Sequence, residues 1–428
     1  MGEDRDLSRR ARPLSLAAYG FVGKDGGSVA SASYLVLERL LELGHLVDFH
    51  AIGGFVEPRG LIGCEGFTYV PTSQAMIGLG WRFLEGVIPP AWRKVPEFGY
   101  SLFSNARHER AIARVIASRH AARPYDALLV LGTLSPFRVP GLPCASWPQG
   151  PPGAEWESLQ AHKSSVIQYG GRILFAALKR LYAHKQKVCR RQIPNSDVVI
   201  GCSRWSAKAW GRAGVPAERL RAVPYAYDLD AFRPVERVEE SPALTRFLWL
   251  GRIVPRKRLD LLLHAFRSLR AEREDVALLI IGQFTYPRGL RRLLDEFADT
   301  PGITYRASVA RDQVPDLFRS VDAVVQPSEN ENLGSSVLEG ICCGVPAIVG
   351  PSNGSKDYLG ASSVIFDEYT PESLRNAMTR IADTPRADRS RVAGDSRLAA
   401  ESFLSSHVVT MQILDAIRDA TLILSSST

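Results

Sequence analysis

Two glutamates in the stretch ENENLGSSVLEG, residues 329–340, have a spacing that could serve one ligand. Glu331 lies in a polar loop after an apolar run that ends at Ser328, and Glu339 lies within a helix that we expect to begin near Gly334. The first main-chain N–H groups of a helix have no partner inside it, so they attract anionic or polar ligand oxygens. We therefore expect both carboxylates and these N–H groups to contact the same ligand.

Two cations follow an earlier apolar run, in GRIVPRKRLDLLLHAF, residues 251–266. Arg252 and Lys257 lie in the predicted loop between a strand and a helix, where guanidinium and ammonium groups could converge on a diphosphate. Lys257 stands between Arg256 and Arg258, and runs of charge usually only face solvent. Taken alone, the segment favours the solvated alternative.

A glycine pair, Gly26 and Gly27, also connects a predicted strand to a predicted helix, in KDGGSV. Glycines let the backbone approach a phosphate at a helix start. The dinucleotide-binding pattern GxGxxG is absent. A plain strand–helix turn explains the pair equally well.

Short apolar runs alternate with amphipathic, helix-length stretches along most of the chain. This alternation is typical of parallel sheets that are covered on both faces. The runs are too many for one sheet, and a polar, aperiodic segment at 228–245 divides them. We therefore predict two Rossmann-like α/β domains, in which ligands bind at the carboxyl ends of the strands. The predicted strands are 14–21, 45–52, 125–134, 143–148, 196–203, 245–253, 276–282, 303–309, 322–328, 346–350 and 362–367.

The predicted domain boundaries follow these breaks in the pattern. A polar tail occupies 1–12, an N-terminal Rossmann-like domain 13–227 and a linker 228–244. A C-terminal Rossmann-like domain occupies 245–397, and a C-terminal helix within 398–428 could cross back to the N-terminal domain.

Composition narrows the class of protein. The chain has 428 residues, 45% of them apolar and 23% charged, with a formal net charge of +8. The six cysteines form no CxxC pair or zinc-like cluster, the first residues contain no apolar signal segment, and no apolar run approaches a membrane span of about 18 residues. We expect a cytoplasmic protein with reduced cysteines and anionic partners.

Several segments resemble, in the same order, the motifs of retaining glycosyltransferase family 4, the group 1 glycosyltransferases. ENLGSSVLEGICCGVP resembles E-G-F-G-x-x-x-x-E-A-x-A-x-G-x-P, and GRIVPRKRLDLLLHAF resembles G-R-L-x-x-x-K-G-x-D-x-L-x-x-A-F. VPYAYDLDAFRP and the glycine-rich segment DGGSVASASYLVLERLLELGHLVDF also match family segments. The resemblance spans most of the chain and is densest over 245–360. It implies the GT-B fold, with two Rossmann-like parallel-sheet domains facing an interdomain cleft.

The resemblance also implies residue roles. Arg252 and Lys257 would neutralise the leaving diphosphate, so that no metal is required. Glu331 would face the donor sugar, Glu339 would hold the ribose hydroxyls, and Glu329 matches no motif position and is expected to face solvent. Arg252, Lys257 and Glu331 would be catalytic, because transfer needs charge stabilised on the phosphate and on the sugar. The implied donor-binding residues are Gly26, Gly27, Arg252, Lys257, Glu331, Asn332, Leu333, Gly334, Ser335 and Glu339.

The sequence departs from the family pattern in three places. Many members have a histidine near the acceptor, but the corresponding segment, 146–156, has none, and Gln149 is the acceptor-side candidate. The glycine after the motif lysine is replaced by Arg258, and the Asn-Gly of the family's interdomain segment is replaced by Tyr225-Ala226. Asp228 and Asp230 spell the DxD of metal-dependent enzymes, but they lie in the interdomain segment and we expect no metal there.

These residues predict a glycosyltransferase that moves a sugar from a UDP- or GDP-sugar to an acceptor hydroxyl, with no resident cofactor. The acceptor is left open between a glycan, a lipid-linked sugar and a small molecule. The alternatives are a non-catalytic nucleotide-sugar-binding protein and a GT-B sugar-nucleotide epimerase or phosphorylase. A nucleic-acid partner is not expected, because the chain has no nucleic-acid-binding motif.

Two segments combine basic and aromatic or aliphatic residues, 169–192 and 81–98. Such surfaces can lie on anionic lipid, which would place the protein at the inner face of a membrane. The alternative is a helix that packs on a sheet and exposes a solvated basic face.

Overall fold

The computed structural model describes residues 12–24, 27–53, 58–74, 94–235, 244–284 and 290–427. Within this range the chain forms two sheets with helices around them. Most of the basic and aromatic segment 81–98 lies outside the described residues.

The first sheet contains seven strands in the order β3-β2-β1-β4-β5-β6-β7. Strands β1 to β6 pair in parallel, with Leu16 beside both Val47 and Ala127. Every residue of β4 is buried, as expected for a strand covered on both faces. The strands are β1 Ser15–Gly20, β2 Leu46–Gly53, β3 Phe67–Gln74, β4 Ala127–Gly132, β5 Cys144–Pro148, β6 Val198–Gly201 and β7 Leu220–Ala222.

The second sheet contains six parallel strands in the order β10-β9-β8-β11-β12-β13. In both sheets the first strand in sequence lies in the middle, and the order reverses between it and its neighbour, β4 or β11. This is the winding of Rossmann-like sheets, so the predicted α/β class is confirmed. The strands are β8 Thr245–Leu250, β9 Val276–Ile281, β10 Ile303–Arg306, β11 Ala323–Gln326, β12 Ala347–Val349 and β13 Val364–Ile365.

Twelve α-helices in the described part of the chain accompany the strands. Apolar residues recur on one face of most of them, and that face packs on a sheet. The helices are α1 Ser28–Glu42, α2 Lys94–Ala122, α3 Pro152–Ala161, α4 Lys163–Gln192, α5 Arg204–Arg212, α6 Leu259–Glu272, α7 Leu290–Asp295, α8 Val314–Arg319, α9 Ser335–Cys342, α10 Pro371–Ala382, α11 Arg389–Phe403 and α12 Ser406–Ser427.

Packing divides the chain into two compact units. One comprises Met1–Pro148, Gln192–Val199 and Thr410–Thr428, and the other comprises Gln149–Arg191 and Ile200–Val409. The grouping therefore assigns 149–191 and 200–227, which the sequence prediction included in the first domain, to the unit of the second sheet.

Helix α4 accounts for that assignment, because its apolar side chains belong to the core of the second sheet. Leu174, Phe175 and Leu178 pack against a buried cluster that includes Phe247 and Trp249. The predicted basic amphipathic helix is thus real, although it begins earlier, at Lys163, and is interrupted at Gly171, where φ is 85°.

The predicted single helix at 398–424 is instead two helices, α11 and α12, which meet at Leu404 and Ser405. The Leu404 carbonyl accepts a hydrogen bond from the Tyr227 main-chain N–H at 3.0 Å, and Tyr227 forms a bridge with Ser405. The chain therefore leaves helical geometry where it pairs with an extended segment.

Candidate functional site

The candidate site lies at the carboxyl ends of β8 and β11, the neighbouring strands at which the order of the second sheet reverses. In open α/β sheets this reversal leaves a crevice in which ligands bind. The loop after β8 carries Arg252 and Lys257, and the loop after β11 carries Glu331. The fold thus brings together two segments that are far apart in sequence.

The loop after β8, residues 251–258, is called the cation loop because it carries Arg252, Arg256 and Lys257. It ends in a 3₁₀ turn, Pro255–Lys257, followed by Arg258 in a left-handed conformation with φ 49° and ψ 43°. This conformation costs most L-residues about 1 kcal/mol or more and costs glycine almost nothing. It explains why the family has glycine at this position. The replacement by Arg258 therefore adds local strain together with a charged side chain.

Glu331 is buried, with 7% of its surface exposed. Its Oε2 lies 2.8 Å from Nη1 of Arg256 and 2.7 Å from Nζ of Lys257. Burial alone would raise the pKa of Glu331, but the charges of Arg256 and Lys257 outweigh it and lower the pKa to about 2. The carboxylate is therefore ionised at neutral pH and neutralises part of the cationic loop.

The same packing acts on Lys257. Burial lowers the pKa of its ammonium, Glu331 raises it, and the nearby positive charges of Arg256 and Arg252 lower it again, so the net shift is downward. Arg252 itself is exposed at the surface of the loop. The loop thus holds three cations close together, and a doubly charged anion would relieve their repulsion.

Main-chain hydrogen bonds fix the loop that carries Glu331. The Glu331 N–H donates to the Ser352 carbonyl at 3.1 Å, and its carbonyl accepts from the Gly354 N–H at 2.9 Å. The Glu329 N–H donates to the Arg256 carbonyl at 2.8 Å. Residues 329–332, the acidic loop, are therefore hydrogen-bonded both to the cation loop and to the segment after β12.

Gly334 is the N-cap of α9 and has a left-handed φ of 77°. A Cβ at this position would lie 2.6 Å from Oε1 of Gln326 and 2.9 Å from Oδ1 of Asn353. Both conformation and space therefore require glycine. The turn places the first N–H groups of α9 directly after the Glu331 loop, with Leu333 buried and Ser335 half-buried.

Glu339 lies inside α9, as predicted, and 5% of its surface is exposed. Nη1 of Arg311 lies 2.6 Å from its Oε1, and the Arg311 guanidinium stands over the Phe232 ring. Burial raises the pKa of Glu339 and Arg311 opposes that effect only in part, so the net shift is upward. Glu339 is therefore poorly compensated in the free protein, in contrast to Glu331.

Asn332 lies against the acceptor-side candidate segment. Its carbonyl accepts a hydrogen bond of 2.6 Å from Oγ of Ser203, the N-cap of α5. A Cβ at Gly150 would lie 1.9 Å from Nδ2 of Asn332, so the two residues are in close contact. Gln149 is exposed, and its carbonyl accepts a hydrogen bond of 3.1 Å from the Trp210 indole.

Two predicted donor-binding residues, Gly26 and Gly27, come from the first half of the chain. Gly27 is exposed and is the N-cap of α1, after β1. A Cβ there would meet no atom within 4 Å. Gly26 lies outside the described residues.

Glu329 and Asp228, two acidic residues outside the motif pair, both have partners in the structure. The expectation that Glu329 faces solvent is wrong, because it pairs with Arg258 and its side chain is 19% exposed. The Asp228–Asp230 pair has a structural role in its turn, since Oδ1 of Asp228 accepts the main-chain N–H groups of Asp230 and Ala231.

Sequence reasoning missed three residues of the site, Arg256, Arg311 and His162. Arg256 was discounted as part of a charge run, and Arg311 and His162 match no motif. Their partners in the structure lie 75, 28 and 167 positions away, so no local pattern could have identified them.

The described residues contain neither a metal-binding cluster nor a membrane-spanning helix. Among the described residues, no three histidine, cysteine, aspartate or glutamate side chains come together in a way that could hold a metal ion. No helix within the described ranges is long and apolar enough to cross a membrane.

Residues 235–395, which contain the acidic loop and the cation loop, match the family of glycosyl transferases group 1. The chain carries a group 1 glycosyl transferase domain. The predicted resemblance is thereby confirmed for residues 235–395.

Two curated relatives match about half of the chain. A GDP-mannose-dependent α-(1-6)-phosphatidylinositol monomannoside mannosyltransferase of Mycobacterium tuberculosis is 28% identical over 236 residues, which cover 50% of this chain and 60% of that protein. A D-inositol 3-phosphate glycosyltransferase of Thermobispora bispora is 32% identical over 205 residues, 43% of this chain and 47% of that protein. The chain therefore spans less than two thirds of the length of either relative.

Solved structures resemble the whole fold. Anabaena HepE, solved in complex with UDP, has a TM-score of 0.61 at 15% identity and covers 95% of this chain and 100% of that one. At this identity the likeness concerns the fold alone. Together with the two Rossmann-like sheets, it confirms the predicted GT-B fold class.

Proposed function

We propose that the protein transfers a sugar from a nucleoside diphosphate sugar to an acceptor hydroxyl. The observation that carries this proposal is the buried Glu331, paired with Arg256 and Lys257 at the point where the second sheet reverses its order. A carboxylate beside a cluster of cations supplies the two kinds of charge stabilisation that sugar transfer requires.

The cations would act on the leaving group. Breaking the bond between the sugar and the diphosphate places negative charge on the phosphate oxygens, and fixed positive charges stabilise that change. Arg252, Arg256 and Lys257 lie on one loop and can neutralise a diphosphate with no metal ion bridging it. Metal-independent transfer is therefore part of the proposal.

The glutamates would act at opposite ends of the donor. Glu331 is ionised, and its charge would stabilise an oxocarbenium-like sugar or accept hydrogen bonds from its hydroxyls. Glu339 would accept hydrogen bonds from the ribose hydroxyls, which would compensate its burial. Asn332, Leu333, Gly334 and Ser335 would offer main-chain N–H groups, and Gly26 and Gly27 would cover the phosphates. Retention of the anomeric configuration follows from the family resemblance and is proposed on that basis.

The relatives suggest which substrates to try first. The mycobacterial relative is named for GDP-mannose and a phosphatidylinositol mannoside, and others are named for D-inositol 3-phosphate. HepE binds UDP and UDP-glucose in its solved complexes. We propose GDP-mannose or UDP-glucose as donor and an inositol phosphate or its lipid-linked form as acceptor class, with Gln149 on the acceptor side.

The decisive experiment measures binding and turnover together. The purified protein would be screened by thermal shift against GDP-mannose and UDP-glucose, because a ligand that binds the folded state raises its apparent stability. Transfer to D-inositol 3-phosphate and release of the nucleoside diphosphate would then be followed by mass spectrometry.

Two variants make the test specific to the site. Arg252→Ala should reduce turnover by at least about 100-fold, the scale of losing one transition-state charge contact. Arg292→Ala, at an exposed position on α7, should retain wild-type turnover and serves as the matched control. Unchanged turnover in Arg252→Ala would exclude the proposed diphosphate site.

The alternatives give different products. A non-catalytic sensor would bind a nucleotide sugar without consuming it, and an epimerase would convert the donor with no acceptor present. A phosphorylase would require inorganic phosphate.

Contact with a membrane surface is a separate part of the proposal. On α4, Ile173 is 83% exposed and is accompanied by the exposed cations Arg172, Lys179 and Arg180. Apolar and basic groups on one helix favour anionic lipid. Co-sedimentation with phosphatidylglycerol vesicles, compared between wild type and Ile173→Glu, would test it, and equal binding by both proteins would contradict it.

A further inference from the structure

The segment 149–162 contacts the acidic loop, residues 329–332, at both of its ends. At the first end, Gly150 lies against the side chain of Asn332. At the other end, His162 is the C-cap of α3, and its Nε2 lies 3.2 Å from Oε2 of Glu329. The ten residues of α3 thus connect two contacts with one short loop.

Glu329 is in turn held by Arg258, whose guanidinium pairs with it and with Asp260. The side chains of His162, Glu329 and Arg258 are all largely covered, with exposures of 13%, 19% and 19%. Ion pairs at this depth are less screened by water than surface pairs. The line therefore joins α3, the acidic loop and the start of α6.

The charge state of Glu329 suits this arrangement. Burial raises the pKa of Glu329, but His162 and Arg258 outweigh the effect and the net shift is downward. Glu329 is therefore ionised at neutral pH, and its two carboxylate oxygens face different partners: Oε1 pairs with the Arg258 guanidinium and Oε2 lies 3.2 Å from Nε2 of His162.

The backbone of Arg258 is in the left-handed conformation, with φ 49°. A left-handed residue is strained unless it is glycine, and the resembling family has glycine here. Arginine keeps the strained conformation and adds the side chain that pairs with Glu329. The strain is therefore accompanied by a contact that glycine could not make.

We propose that His162, Glu329 and Arg258 form a positioning network that holds the segment 149–162, with the acceptor-side candidate Gln149, against the acidic loop. The proposal rests on the proposed function for the role of Gln149 and of the loop. The network touches no reacting atom, so its effect on transfer passes through the position of the segment. It takes the place of the acceptor-side histidine that the sequence lacks only in the sense that it orders the same region.

Hydrogen exchange on the full-length protein tests the network without an identified acceptor. Glu329→Gln should raise the exchange rate of the amides in 152–162 by about 5-fold or more and leave 276–281 in β9 unchanged, because losing one covered ion pair opens only the element it holds. Gly150→Ala, which forces Asn332 away at the opposite end, should open the same amides. Arg292→Gln is the matched surface control.

Two substitutions of His162 separate pairing from packing. Gln can donate a hydrogen bond to Glu329, and Phe fills the space of the ring with no donor. His162→Gln should retain most of the protection in 152–162, and His162→Phe should lose it as Glu329→Gln does. Protection in His162→Phe equal to or above that in His162→Gln would overturn the proposal, as would unchanged exchange in Glu329→Gln.

Turnover supplies the readout that a purely structural role would not move. With GDP-mannose and D-inositol 3-phosphate, Glu329→Gln should lower kcat/KM for the acceptor by about 10-fold while the donor KM stays within about 2-fold of wild type, because only the acceptor side loses its position. Equal losses for donor and acceptor would overturn the positioning role. A wild-type protein that neither binds nor consumes the donor would refute the proposed function, and the exchange results would still decide the network.

Discussion

Replacing Glu331 with glutamine removes the charge of the acidic loop and keeps the shape of the side chain. The wild-type pKa is lowered from 4.5 to about 2. A shift of this size corresponds to about 3 kcal/mol in favour of the ionised carboxylate in the folded protein. Removing the charge also leaves Arg256 and Lys257 buried without their counter-charge, so we expect Glu331→Gln to destabilise the second sheet by at least about 3 kcal/mol at neutral pH.

The lowered pKa of Glu331 also predicts how its contribution to stability changes with pH. A carboxylate with a lowered folded-state pKa stabilises the protein above its unfolded pKa, and this contribution is lost as the pH falls from about 4.5 towards about 2. For Glu331 the contribution should fall from about 3 kcal/mol at pH 7 to about 2 kcal/mol at pH 3.5. Urea unfolding of wild type and variant at both pH values measures it, and an equal gap at both would refute the electrostatic explanation.

Function should respond differently from stability in this variant. Glu331→Gln frees Lys257 and Arg256 for the diphosphate, so nucleoside diphosphate binding should be equal to or tighter than in wild type. Transfer should fall by at least about 100-fold, because the charge facing the sugar is lost. Calorimetry with GDP and UDP, run beside the turnover assay, would detect this separation. Loss of diphosphate binding together with transfer would instead assign Glu331 a purely structural role.

Four further variants test other features of the chain. Glu339→Gln should raise stability above about pH 4.5, where the upward pKa shift penalises the wild-type carboxylate, and should weaken nucleotide-sugar binding by about 10-fold or more; equal affinity in calorimetry would contradict the ribose role. Gly334→Ala should lower stability by about 1–3 kcal/mol in urea because of its positive φ and a contact at 2.6 Å, whereas Gly27→Ala should leave stability unchanged and weaken only diphosphate binding. His50 is buried with neither ring nitrogen hydrogen-bonded among the described residues, and burial lowers its pKa to about 4; wild type should lose about 3 kcal/mol as the pH falls from about 6.5 to 4, a loss that His50→Phe should abolish and that its persistence in the variant would assign elsewhere.

Much of the fold could be predicted from the sequence because both sheets are buried on two faces. Strands such as β4 and β9 are continuous apolar runs, and such runs stand out without any tertiary information. Strand β3, Phe67–Gln74, was missed because polar residues and a proline interrupt it. Strand β7 has three residues, too few for a pattern.

The site was predictable where chemistry repeats a motif and unpredictable where it depends on packing. Spacing and resemblance predicted Glu331, Glu339 and Lys257 as site residues, and the structure brings Glu331 and Lys257 into contact. That Arg256 rather than Arg252 contacts Glu331 follows from the 3₁₀ turn at Pro255–Lys257, which directs two consecutive side chains to one carboxylate. No sequence rule assigns that direction. The burial of Glu329 is likewise a consequence of its partners, which lie far away along the chain.

The charges at the carboxyl ends of β8 and β11 suit a diphosphate ligand. Arg252, Arg256 and Lys257 lie on one loop, and Glu331 is the carboxylate paired with the last two. Three cations and one carboxylate leave an excess of two positive charges, and the diphosphate of a nucleotide sugar carries two negative charges. The free protein therefore uses Glu331 to hold a cation cluster that would otherwise repel itself, and a bound diphosphate would supply the remaining counter-charge.

The pKa of Glu339 is shifted in the opposite direction to that of Glu331. Its pKa is shifted upward by burial, with a single half-exposed arginine opposing the shift. A buried carboxylate in that state gains from any ligand that donates hydrogen bonds to it. Glu331 thus stabilises the cation cluster, whereas a ligand that donates hydrogen bonds would compensate the burial of Glu339. A ligand with a diphosphate at one end and hydroxyl donors at the other satisfies both, which is the chemistry of a nucleoside diphosphate.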